Sequence, residues 1–301
     1  MIQQLLLNGI IAGSIYALVA LGFTVIYRTV KFFNFAHGIV YTAGAYLAYS
    51  VISGQLSGGS GQVSVGGWIV AGLAGIIGAG VLGVVINRAV YHPLRQKKAS
   101  NLILLLASFG VFIFIENFIA MIYGNQILTI RTGPIREGYH IGSAVITQIQ
   151  IWILVVSCLL MVALWWFIQR TKLGKAMRAV SDDPIASSVV GINPEQTILA
   201  SFAIGSALAG AAGILISLET NIEPTMGFAA ILKGIIASII GGIGNIPGAM
   251  FGGFFLGIAE NLGIWKIQAG WKDAISFAIL IIFLLFRPRG ILGLKMGREE
   301  M

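Results

Sequence analysis

The chemistry open to this 301-residue chain is limited by its side chains: 19 Lys and Arg, 11 Asp and Glu, three His and one Cys. His37, His92 and His140 are far apart, and none belongs to an HExxH pair or a similar helix-spaced ligand set. No GxSxG elbow is present to carry a serine nucleophile. Cys158 is alone in an apolar run, which excludes an internal disulfide and a cysteine metal cluster. Leu173-Gly174-Lys175-Ala176 contains a Gly-Lys pair, but the upstream glycine and the Ser or Thr of a phosphate loop are missing. An enzyme is therefore not expected, nor is a cofactor or metal bound by this chain. Any active process must draw its energy from another subunit or from an ion gradient.

What remains is a set of polar residues inside apolar runs: Asn8, Ser14, Asn34, His37, Tyr41, Thr42, Ser108, Glu116, Asn117, Glu260 and Asn261. Such groups are costly in lipid and face a cavity or a partner. For Glu116-Asn117 and Glu260-Asn261 the plain reading is a helix-helix hydrogen bond or an interfacial position. Carboxylates are too few for a proton relay, which argues against a proton-coupled carrier. His37, beside a glycine at a chain break, either bonds a freed carbonyl or touches a substrate. Glu219, Asn221 and Glu223 make either an ordinary solvated loop or a greeting site for a cationic or zwitterionic solute.

The elements that must position these residues are membrane helices. The sequence is 57% hydrophobic and 10% charged, with mean hydropathy +0.92, against about 25% charged in soluble domains. Forty glycines point to close helix contacts and broken helices. Windows of about 20 apolar residues predict spans near 5–27, 36–53, 68–90, 102–122, 148–168, 198–218 and 272–286. The Gly-rich block 228–262 makes either two thin helices or a re-entrant hairpin, so about seven to nine transmembrane helices are expected in an all-α polytopic integral membrane protein. The N-terminus lacks a basic signal-peptide region, so the first apolar block is expected to be a retained span. No soluble-domain boundary is visible, and residues 1–301 read as one transmembrane domain.

Basic residues set the orientation. Arg28, Lys31, Arg88, Arg95, Lys97, Lys98, Arg170, Lys172, Lys175, Arg178, Arg287, Arg289, Lys295 and Arg298 fall in one set of loops. Arg131, Arg136, Lys266 and Lys272 fall in the other, and Lys233 lies in the ambiguous block. The positive-inside rule then puts the N-terminus outside and the C-terminus in the cytoplasm. It also accounts for the net charge of +8 without nucleic acid.

Two places break the helical grain: Asn34-Phe35-Ala36-His37-Gly38, and Gly241-Gly242-Ile243-Gly244-Asn245-Ile246-Pro247-Gly248. Irregular backbone at membrane depth survives only where protein or a watery cavity satisfies it, and such breaks in both halves of a chain mark a translocation path. Residues 36–44 and 246–252 are faintly alike, as an internal repeat would be. Gly9/Gly13, Gly244/Gly248/Gly252 and Gly253/Gly257 form small-residue stripes, read as packing within the chain in preference to a subunit interface.

The longest polar run, Arg170–Glu195, reads as a cytoplasmic device. Asp182 and Asp183 precede Pro184 at a helix start, Ile185 to Val190 makes one or two turns, and Gly191 closes them. Asn193 then caps a new helix that begins Pro194-Glu195.

Asn34-Phe35-Ala36-His37-Gly38, then Leu173 to Ala179 with Ala186 to Gly191, then Gly241 to Gly248, resemble the LivH-type permeases of branched-chain amino acid ABC importers across nearly the whole chain. The resemblance implies a bacterial plasma-membrane subunit paired with a second related permease, with two cytoplasmic ATPase subunits that use ATP and Mg, and with an external binding protein. Its loop at 170–195 is similar to the ABC coupling loop, with Asp183, Pro184, Ile185, Ala186, Ser187, Val189, Val190 and Gly191 as docking residues. Ile185 stands where that family has Glu. The path is expected at Asn34, His37, Gly38, Tyr41, Thr42, Gly244, Asn245 and Pro247, whose broken backbone would offer helix ends to a zwitterion. Urea and amide importers have permeases of similar appearance, and an ion-coupled carrier acting alone is the reading from another class.

Overall fold

Apolar runs of this length can satisfy their backbone in lipid only as helices, and the computed structural model, which describes residues 1–56, 64–130, 138–265 and 268–293, is built almost entirely of them. In chain order they are α1 (Ile2–Val30), α2 (Ala36–Gln55), α3 (Val65–Ile86), α4 (His92–Gln96), α5 (Asn101–Tyr123), α6 (Gln148–Arg170), α7 (Lys172–Asp182), α8 (Pro184–Val189), α9 (Pro194–Glu219), α10 (Met226–Gly241), α11 (Ile246–Gly263) and α12 (Lys272–Phe286). A π-helical turn, Asn87–Tyr91, joins α3 to α4. A small antiparallel hairpin, β1 (Tyr139–Ile141) and β2 (Ala144–Ile146), lies in the loop before α6. Among the described residues, α1, α3 extended through Gln96, α5, α6 and α9 are long and apolar enough to cross a membrane. The ambiguous Gly-rich block forms α10 and α11, bent by 117° and passing that test only as a pair.

Most starts follow the local chemistry. Ser64 and Ser100 cap α3 and α5, and Thr147 with Gln150 forms a capping box on α6. Asn193 and Asn245, each followed one or two residues later by proline, cap α9 and α11. The starts of α2 and α10 carry no side-chain cap.

The core is centred on α1 and α9, with 83% and 67% of their apolar windows buried, against 22% for α5. The outer faces of α3, α5, α6 and α12 expose large apolar side chains such as Val81, Phe114, Leu159 and Leu285, as lipid contact requires. Lipid supplies no hydrophobic drive for helix association, so close packing of small residues must do it. Gly9 and Gly13 of α1 meet Gly253 and Gly257 of α11, so two of the predicted stripes pack on each other within the chain. At the centre, a Cβ on Gly22 would lie 2.6 Å from the Gly205 carbonyl oxygen, and one on Gly205 would lie 2.6 Å from that of Gly22. The starts of α2 and α10 meet just as reciprocally, Gly38 on the Gly227 carbonyl and Gly227 on that of Gly38.

One end of the bundle is basic. Arg28 bonds Ser181 at 2.8 Å, Arg95 pairs with Glu195 at 3.0 Å, and Ile291 and Leu292 bond the last carbonyls of α10. At the other end Gln3 and Gln4 of α1 bond Ser143 and Val145, Gln150 bonds Glu219, and Leu128 bridges Ile222. Arg131, Arg136, Lys266, Lys295 and Arg298 lie outside the described residues.

Charge is also buried. Lys233 of α10 contacts Glu260 of α11, Asp273 of α12 and Tyr16 of α1, at 3.2, 3.2 and 3.1 Å. The Tyr16 hydroxyl donates to Glu260 at 2.9 Å, and Ser276 donates to the other carboxylate oxygen. Glu260 is fully buried, so each of its oxygens must be satisfied, and each is. This fulfils the helix-helix hydrogen bond expected of Glu260. Asn261, beside it, accepts from Lys272 at 3.3 Å.

Two outcomes are expected in thermal unfolding of the detergent-solubilised protein. Gly22→Ala and Gly227→Ala should each destabilise by about 1–3 kcal/mol through overpacking; Gly110→Ala, where a Cβ meets open space, should not, and equal effects at all three would refute close backbone approach. Lys233→Met strands Glu260 and should cost about 3–5 kcal/mol, whereas Lys233→Met with Glu260→Leu should recover most of that loss.

Candidate functional site

The sequence sets two groups of residues apart, one at the centre of the bundle and one at its basic end. The central group starts where α1 ends. Lys31 adopts a left-handed backbone (φ 57°), its N–H bonding the Tyr27 carbonyl, and residues 31–35 turn the chain back into the protein. Asn34 is buried and accepts a 2.7 Å bond from the Tyr91 hydroxyl at the π turn. The Phe35 N–H donates to Ser108 of α5 at 3.1 Å, and the Phe35 ring stacks on Phe109. The return is therefore fixed from two neighbouring helices.

His37, at the start of α2, is buried against Gly22. Neither ring nitrogen has a hydrogen-bond partner; the Val19 backbone approaches without completing one. Gly38 lies against Gly227 and Ile231 of α10, and Tyr41 is buried with its carbonyl against Gly213 of α9. The Thr42 hydroxyl donates to the Gly38 carbonyl at 3.4 Å. These residues sit where α1, α2, α9 and α10 meet. A buried imidazole without a partner is costly, so His37 stands to gain from a ligand or a rearrangement.

Gly244, Asn245 and Pro247 are not brought to this place. They form the turn between α10 and α11 at the basic end, lining a cavity of about 250 Å³ with Arg28 and Arg178. Gly244 has φ +83° with nothing near its Cβ position, as a tight turn requires. Asn245 accepts from the Gly248 N–H at 3.1 Å and donates to the Leu292 carbonyl, tying the turn to the chain after α12. The segment that answers 36–44 across the centre is the start of α10, not residues 246–252. Gly22, Gly205 and Gly227 also line the central site, and nothing in their local sequence separates them from the other glycines. Lys233 had a signal, as a lone cation in a long apolar block.

The polar loop is as compact as its sequence suggests. Thr171 caps α7, and the Arg178 guanidinium folds back onto the Ile168 carbonyl and Gln169. Asp183 caps α8, its Oδ1 accepting from the N–H groups of Ile185 and Ala186 at 2.7 and 3.0 Å. Pro184 occupies the first helical position. The buried Ser187 hydroxyl donates to the Asp183 carbonyl, and the Ile192 N–H bonds the Ser187 carbonyl. Gly191, at φ +86°, stops the turn, and Asn193 starts α9. Only Ser187 of this turn is buried. Ile185, Val189 and Val190 are 78%, 83% and 74% exposed, and Ala186 is exposed beside them. The result is a rigid apolar knob at the basic end.

Comparison with known proteins matches residues 5–284 to the family described as branched-chain amino acid transport system, permease component. The chain is 39% identical over 299 residues to the high-affinity branched-chain amino acid transport system permease protein LivH of Escherichia coli K12, covering 96% of this chain and 95% of that protein. It is 39% identical over 295 residues to the corresponding BraD protein of Pseudomonas aeruginosa, with the same coverage. A probable LivH of Methanocaldococcus jannaschii is 30% identical over 304 residues, covering 97% of this chain and 93% of that protein. No solved structure matches. The chain belongs to the family of branched-chain amino acid transport system permease components.

Proposed function

We propose that this chain is the permease subunit of an ATP-driven importer of branched-chain or closely related neutral amino acids, working with separate subunits that supply recognition and energy. The observation that carries the mechanism is the capped turn α8, which presents Ile185, Val189 and Val190 to solvent at the basic end. A hydrophobic knob held by Asp183 at one end and Gly191 at the other loses little entropy on docking. It suits a cytoplasmic ATPase, two of which would hydrolyse ATP with Mg. The contact would be apolar, since Ile185 replaces the acidic residue of the related loops. A second related permease would complete the path, and an external binding protein would deliver the amino acid.

The orientation that fits the charges has the basic end in the cytoplasm and the N-terminus outside. Reading α1, α2, α3, α5, α6, α9, α10, α11 and α12 as crossing segments makes nine, because the turn between α10 and α11 reaches the basic end beside Arg28. The amino acid would pass near the starts of α2 and α10. Two helix N-termini at one place offer partial positive charge to a carboxylate, and His37 waits there without a partner. Closure of the ATPase pair would push α8, α7 would carry the push through Arg28 and Ser181 into α1, and rocking of the packed helices would open one side as the other closes.

Val189→Glu should lower transport at least tenfold and uncouple ATP hydrolysis from uptake, with the complex still assembling; unaltered transport would remove α8 as the docking element. In a Cys158→Ser background, Ile243→Cys should react with an impermeant maleimide from the cytoplasmic face only. Labelling from outside, or at neither face, would return the Gly-rich block to a re-entrant hairpin and the count to seven.

A further inference from the structure

We propose that the cavity at the basic end is a binding site for the phosphate of an anionic phospholipid. Its wall brings together Arg28 from the last turn of α1, Trp165 and Gln169 from the end of α6, Arg178 from α7, and Asn245 and Pro247 from the first turn of α11. No carboxylate lines it. The Arg178 guanidinium donates to neutral acceptors, the Ile168 carbonyl and Gln169 Oε1. Arg28 donates to the Ser181 hydroxyl, and its nearest acid, Asp182, stands off at 3.9 Å and is mostly exposed to solvent. Two guanidinium charges thus share a cavity of about 250 Å³, offset only in part by the solvent-exposed Asp182 beside Arg28, and the positive end of the α11 dipole adds to them.

The depth is that of a headgroup. Three membrane helices end or begin at the cavity, Trp165 is half exposed at its rim as interfacial tryptophans are, and Phe251, one turn further along α11, is 63% exposed for an acyl chain to lie against. Basic pockets between membrane helices on the cytoplasmic side are suited to phospholipid headgroups. The cavity spans α1, α6, α7 and α11, so an occupying lipid would brace the loop that carries α8 against the bundle.

This inference depends on the membrane setting and not on the cargo or on ATPase docking, so it is tested by binding alone. The full-length protein, purified from membranes with whatever subunits accompany it, would be titrated with phosphatidylglycerol and with phosphatidylcholine of the same acyl chains, and bound lipid counted by native mass spectrometry. Phosphatidylglycerol should bind about tenfold more tightly. Arg28→Gln with Arg178→Gln should weaken it about thirtyfold, and the corresponding double Lys variant should restore most of the loss. Gln169→Glu keeps the acceptor that Arg178 uses, yet puts a negative charge in the wall. It should weaken phosphatidylglycerol about fivefold and leave the melting temperature unchanged, which covers the case of a double Gln variant that fails to fold. Equal binding of the two lipids, or no loss in Gln169→Glu, overturns the site. Glycerol 3-phosphate should not displace the lipid at millimolar concentration; full displacement would assign the site to a soluble phosphate and overturn the lipid.

Discussion

The structure rests on backbone meeting backbone at the bundle centre. Gly22 and Gly205 each leave room for the other's carbonyl, and Gly38 and Gly227 repeat the arrangement a short way off. In lipid, helices gain from contact chiefly by van der Waals packing and interhelical hydrogen bonds. Removing the side chain at these four positions lets α1, α2, α9 and α10 approach to a distance no other residue allows. Everything else is arranged outside that crossing: α3 packs on α9, α11 packs on α1, and α5 and α6 lean on the periphery with their apolar faces to lipid.

The crossing also decides where polarity can be tolerated. Two short helices start inside the protein without side-chain caps, which open lipid would not permit and surrounding helices do. Asn34 and the Phe35 N–H are satisfied by Tyr91 and Ser108, whereas the His37 ring is left unpaired. On the other side of α10, Lys233 and Glu260 are satisfied by each other and by Tyr16, Asp273 and Ser276. One face of α10 is therefore pinned by charge to α1, α11 and α12, while its start rests on the backbone of α2. The helix is tightly held along its length, which favours movement of packed groups as units over deformation of α10 alone.

At the basic end a chain of short contacts joins elements distant in sequence. α8 is fixed to α7 through Asp183, α7 touches α1 through Ser181 and Arg28, and Arg178 faces the turn that begins α11. The C-terminal segment closes over that turn through Leu292 and Asn245. A force or a ligand applied here bears on α1 and α11 together, and these two helices are packed closely where Gly9 and Gly13 meet Gly253 and Gly257.

Much of this was legible in the sequence because the signals are local. Length and hydropathy gave the helices, Asp183-Pro184 and Gly191 gave α8 and its stops, and the breaks at 34–38 and 241–248 fell where helices α2 and α11 begin. The residues of the capped turn α8 and the central residues Asn34 to Thr42 could be set apart because caps, prolines and interrupted runs act within a few residues. What only the tertiary structure decided is which elements meet. Residues 36–44 resemble 246–252 in sequence yet face the start of α10, since the partner of a glycine is chosen by where two helices cross and one glycine reads like another along the chain. Lys233 and Glu260 lie 27 positions apart and become a pair only when α10 and α11 fold against each other. Arg28 and Arg178 lie 150 positions apart and share a cavity only because the last turns of α1 and α7 meet in the fold, where Arg28 bonds Ser181.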